Sequence, residues 1–80
     1  MGTAKEMKKS LRTRTKESLI KHLYLVRDLE EKHGSDTCAE LVGKLSICTR
    51  LFYEHKIVES HQQLERFYDD LDTFHKHHPD

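Results

Sequence analysis

The chain has 80 residues, enough for one small domain that buries only roughly 60–65% of its unfolded surface. Its 14 Lys+Arg balance 14 Asp+Glu, so overall charge argues for neither nucleic acid nor an anionic membrane. No apolar run is long enough for a signal peptide or a membrane span, which makes the cytosol the expected location and excludes a membrane partner.

A chain this small needs a staple: a disulfide, a metal or a partner subunit. Gly2 does not open a myristoylation site, because Glu6 stands where Ser or Thr is wanted. Cys38 and Cys48 are ten residues apart. On one helix that is a rise of about 15 Å, against the roughly 7 Å that a disulfide tolerates between Cα atoms. They read as small, unpaired core residues.

Charge is unevenly spread. Residues 1–27 carry eight basic residues against Glu6 and Glu17, and residues 54–80 carry seven acids against Lys56, Arg66 and Lys76. The linear chain is an electric dipole.

Strand signals are absent, Gly occurs only at 2, 34 and 43, and Pro only at 79, so the fold class is all-α. The whole of 1–80 reads as a single helical domain: an antiparallel helical hairpin with one helix over about 4–33 and a second over about 38–76. The first helix can start at Thr3, which with Glu6 makes a capping box, or later, near Thr13 or Thr15. Gly34 then suits a C′ position, and Thr37 with Glu40 offers the cap of the next helix. So short a link makes the two helices antiparallel neighbours.

At 100° per residue Leu19, Leu23 and Val26 share a face, with Leu29 at its edge. Leu41, Leu45, Cys48 and Phe52 share a face of the second helix. Folding about the turn brings Leu19 to Phe52, Leu23 to Cys48, Val26 to Leu45 and Leu29 to Leu41. The expected core is therefore Leu19, Leu23, Val26, Leu41, Leu45, Cys48 and Phe52.

Beyond Phe52 the apolar face shifts by roughly 120–140°, far more than the drift of about 20° per heptad that a straight helix shows. Either the helix breaks near 56–60 and restarts at Ser60, capped with Gln63, to give three helices, or one long helix carries two stripes. No Gly or Pro occurs from Lys44 to His78, so the sequence favours the continuous helix. On that reading Ile20, Tyr24, Tyr53, Ile57, Leu64, Tyr68 and Leu71 form an uncovered apolar face, the mark of an interaction or oligomer surface. In the competing reading a third helix folds back and covers them.

Seven histidines raise the question of metal. Glu30 with His33, and Asp72 with His75, have i, i+3 spacing, but a di-metal centre needs two such pairs and two more carboxylates in one core. A hairpin keeps these pairs apart. The tail histidines 75, 77 and 78 suit a polar helix end, where they complement the C-terminal dipole. His22 reads as a boundary residue, and His55 and His61 as surface partners of Glu59 and Glu65. No metal or cofactor is expected. No nucleophile has a base beside it and no phosphate loop occurs, so the chain reads as non-enzymatic.

The expected function is that of a small regulatory protein that forms a homodimer and binds another protein. The alternative is an RNA- or DNA-binding regulator whose basic segment, Lys5, Lys8, Lys9, Arg12, Arg14 and Lys16, contacts phosphates. That segment has no interleaved aromatic residue for base stacking. In a hairpin its charges instead lie alongside Glu59 and Glu65, with Asp69, Asp70 and Asp72 just beyond.

Overall fold

The computed structural model describes residues 10–79, which form three helices: α1 (Leu11–His33), α2 (Ser35–Tyr53) and α3 (Ile57–His77). The all-α class holds, and among the described residues no strand occurs. The long second helix does not: it ends at Tyr53, and a third helix folds back. None of the helices is long and apolar enough to cross a membrane, among the described residues.

α1 is described from Leu11, capped by Ser10 and not by Thr13 or Thr15; the expected start near position 4 with Thr3 as cap lies outside the described residues. Ser10 is extended (φ −63°, ψ 158°) and its Oγ accepts the Thr13 N–H at 3.1 Å. One residue, Gly34, then joins α1 to α2. Its N–H donates to the Glu30 carbonyl at 2.8 Å, and its own carbonyl accepts from Cys38 at 3.3 Å. The φ of +91° is the reason for glycine here, since the left-handed half of backbone space penalises a Cβ. Because α2 starts at Ser35, Thr37 already lies inside the helix and does not act as its cap.

The second turn contains no glycine, which is why the sequence concealed it. His55 takes the left-handed conformation (φ +65°). Its N–H donates to the Phe52 carbonyl at 3.0 Å, and the Lys56 N–H reaches the Leu51 carbonyl at 2.9 Å. This paired 5→2 and 6→1 pattern is a Schellman motif with histidine at the position usually held by glycine. α3 restarts at Ile57 rather than Ser60, so Ser60 is not a cap.

Each helix buries one stripe at a spacing of three and four. The buried residues are Thr15, Leu19, His22, Val26 and Leu29 in α1, Cys38, Leu41, Leu45, Cys48 and Phe52 in α2, and Ser60, Leu64, Phe67, Leu71 and Phe74 in α3. A 3.5-residue period keeps one seam facing two neighbours along the full length of a helix. Six of the seven expected core residues belong to these stripes. Leu23 does not, and is 49% exposed.

Aromatic contacts set the register of α3 against α1. The His22 ring meets Phe67 edge-on at 5.8 Å, and His33 lies 5.5 Å from His78. Both contacts join residues 45 apart in sequence, so the two helices run parallel. The same offset sets the buried hydroxyl residues Thr15 and Ser60 at one level. Ser60 Oγ donates to the Cys48 carbonyl of α2 at 2.8 Å, whereas Thr15 Oγ1 is buried without a partner. His22 is buried at the seam, not at its boundary. Its Nδ1 donates to the Ser18 carbonyl at 2.7 Å, and the Tyr68 ring covers it edge-on at 4.6 Å.

At the opposite edge Lys44 bridges Glu40 at 3.3 Å and Asp70 of α3 at 3.1 Å. The hydrogen bond to Asp70 pushes its ammonium above the ordinary lysine value, with Glu40 adding to the effect. The parallel course of α3 revises the expected charge pairing. Asp69, Asp70 and Asp72 lie level with Tyr24, Leu25 and Arg27, beyond the midpoint of α1, whereas Glu59 lies level with Arg14.

Candidate helix-binding groove

α3 covers one side of the α1–α2 pair. Along the other side runs a groove of about 540 Å³, lined by Leu23, Val26 and Glu30 of α1 and by Val42, Leu45, Ser46, Thr49, Arg50 and Tyr53 of α2, with Glu54 at its end. A second cleft of about 280 Å³ extends it towards the start of α1, between Arg12, Lys16, Leu19, Ile20 and Leu23 and the facing Thr49, Phe52, Tyr53 and His55. Leu23, Thr49 and Tyr53 line both, so the two form one channel.

The channel walls follow from the sequence period. Lys16, Ile20, Leu23, Arg27 and Glu30 recur every three or four residues along α1, beside the buried stripe. Val42, Ser46, Thr49 and Tyr53 do the same along α2. Each helix thus carries two adjacent seams, and among the described residues only one is covered. Leu23 and Tyr53, 49% and 75% exposed, are apolar or aromatic groups left in water at the centre and one end of this surface. Ser46 and Thr49 went unnoticed in the sequence because they are polar; their spacing to Val42 and Tyr53 was the available signal.

The seven residues expected to share one partner face divide. Leu64 and Leu71 are buried in the core against α1 and α2, and Ile57 is half-buried against it. Tyr68 is 48% exposed, but its hydroxyl lies 3.0 Å from Ser18 Oγ and its ring covers His22. Ile20 and Tyr53 line the groove, and Tyr24 is exposed one residue beyond Leu23. α3 buries Leu64 and Leu71, which the continuous helix would have left bare, and most of the exposed large apolar residues lie on α1 and α2, with Val58 and Tyr68 exposed on α3.

The basic residues do not converge. Arg12 lies over the Phe52 ring at 5.4 Å, a cation–π contact, and Lys16 lines the groove. Arg14 faces a different cleft, with Ser18, His61 and Tyr68 between α1 and α3. Lys5, Lys8 and Lys9 lie outside the described residues.

The histidine pairs also separate. Glu30 lines the groove, whereas His33 packs edge-on against Phe74 of α3 at 5.5 Å. His61 Nε2 lies 3.7 Å from Glu65, while His55 serves the turn rather than pairing on a helix with Glu59. His77 and His78 donate from Nδ1 to the Thr73 and Phe74 carbonyls at 2.9 and 3.2 Å. Among the described residues no three His, Cys, Asp or Glu side chains gather as metal ligands. Cys38 and Cys48 are free and buried. Burial pushes both thiols above the ordinary value, and the charge of Glu30 adds to the rise at Cys38.

Compared with known proteins, the chain matches no family model, no curated protein and no solved structure.

Proposed function

We propose that this chain is a small, non-catalytic protein-interaction module that receives an amphipathic helix in the groove between α1 and α2. The observation that carries this reading is the second heptad seam on both helices, where Ile20 and Leu23 of α1 and Tyr53 of α2 stand exposed along one channel. A helix laid in such a channel would complete a four-helix arrangement, the usual way for bundles to cover apolar seams. The floor, Leu23, Val26, Val42, Leu45 and Tyr53, offers apolar anchorage. Lys16, Glu30, Arg50 and Glu54 supply a charged rim that would select register and partner.

Displayed libraries of amphipathic helices, panned on the protein, test the reading. Helices that bind the parent and Val58→Asp, a change on exposed α3 surface, but lose binding to Leu23→Asp and Tyr53→Asp are the expected result. Selected helices that bind Leu23→Asp as well as they bind the parent would show that the groove is not the receptor.

A further inference from the structure

Resting on this groove reading, we propose that the helix it receives is α1 of a second copy of the chain, running antiparallel, with Leu23 of each copy meeting at a two-fold axis. Two observations point to this occupant.

The first is the charge pattern along the outer seam of α1. Antiparallel pairing about Leu23 sets residue i of one copy against residue 46 − i of the other. Ile20 then lies over the Val26–Arg27 step, Val26 being the buried floor of the groove, and Lys16 at one end of the groove faces Glu30 at the other. Two-fold symmetry makes this Lys16–Glu30 pair twice. Neighbouring registers are worse. Moving the axis to bring i against 43 − i sets Lys16 against Arg27, a like-charge pair, and bringing i against 50 − i sets Ile20 against Glu30.

The second is the polarity of the folded bundle, which differs from that of the linear chain. Towards the end where α1 and α3 begin, Arg12, Arg14, Lys16 and Lys56 outnumber Glu17, Glu54 and Glu59, though on different faces. Towards the other, Glu30, Glu31, Asp36, Glu40, Asp70 and Asp72 outnumber Lys32, Lys44 and Lys76. A parallel pair would place like ends together, whereas an antiparallel pair places each basic end beside an acidic one. The partner helix must be apolar at its centre, basic towards its N-terminus and acidic towards its C-terminus. α1 has that composition.

Charge reversal tests the pairing. Lys16→Glu and Glu30→Lys should each weaken self-association roughly tenfold in sedimentation equilibrium, since each creates two like-charge pairs. Mixed in equal amounts, these two variants should associate about as well as the parent, because both pairs in the mixed dimer are then opposite in sign. Leu23→Cys should form a disulfide-linked dimer, the native cysteines being buried. A parent protein that stays monomeric at about 100 µM, far above the micromolar range of ordinary specific pairs, would overturn the second copy as occupant. Helix capture by the groove would still be read by the panning experiment. A dimer indifferent to both charge reversals and to Leu23→Asp would overturn the pairing and show that self-association uses another face. Circular dichroism of each variant separates loss of association from loss of fold.

Discussion

Ser60 of α3 donates its hydroxyl to the backbone carbonyl of Cys48 in α2 across 2.8 Å, joining two helices at a point buried from water. Both partners are small, so the helices approach closely where a leucine would hold them apart. The bond lies just beyond the α2–α3 turn and fixes how α3 folds back.

Ser60→Ala should cost about 0.5–1.5 kcal/mol, the net worth of a buried hydrogen bond. Thr15, at the same level of the bundle, should show the opposite sign. Its buried hydroxyl has no partner, so Thr15→Val removes an uncompensated polar group at nearly constant shape and should stabilise by about 1 kcal/mol. Urea midpoints of the two variants on either side of the parent's are the expected result.

The division between core and groove predicts unequal costs for two leucines on facing helices. Leu45 is 2% exposed, and Leu45→Ala should cost about 2–5 kcal/mol. Leu23, half in water, should cost less than about 1 kcal/mol when changed to Ala in the isolated chain. Thermal unfolding compares them at a concentration where sedimentation shows parent and variants to be monomeric. Equal losses of melting temperature would place Leu23 in the core after all.

His55 holds a left-handed conformation that penalises any residue with a Cβ by about 1–2 kcal/mol. Glycine escapes that penalty but has more chain entropy to lose, about 0.5–1 kcal/mol. His55→Gly should therefore stabilise by about 0.5–1 kcal/mol, and His55→Val, β-branched, should destabilise. Guanidinium denaturation of the pair reads the sign directly.

The thiols predict an alkaline dependence. Burial raises the pKa of Cys38 and Cys48 in the folded chain, so the folded state keeps protons that the unfolded state releases. The resulting stability is complete below the ordinary thiol value of 9.0 and is lost as pH climbs from there towards the raised folded values. The denaturation midpoint should fall as pH rises above about 9, where the unfolded thiols ionise first. It should fall less steeply in a variant with both cysteines changed to Ala. Parallel slopes for parent and variant would show that the thiols ionise alike in both states.

The sequence by itself determined the helical class, the end of α1 at Gly34 and most of the α1–α2 seam, because these rest on local chemistry. A glycine at a left-handed position and apolar residues at helical spacing can be read without knowing what lies opposite. The free state of the cysteines follows from the same helical rise. What it did not determine was the second turn, where His55 adopts a conformation expected of glycine, held there by the packing of α3 onto the first two helices. Nor did it place Thr15, His22 and Ser60 in the core: each is polar, and only a facing carbonyl or aromatic ring makes its burial tolerable, save that of the unpaired Thr15 hydroxyl. The exposure of Leu23 was equally a tertiary outcome. It shares a helical face with Leu19 and Val26, but once α3 claims the side of α1 that carries His22, the helix rotates its seam by part of a turn. Leu23 then lies at the edge of the core, facing the groove.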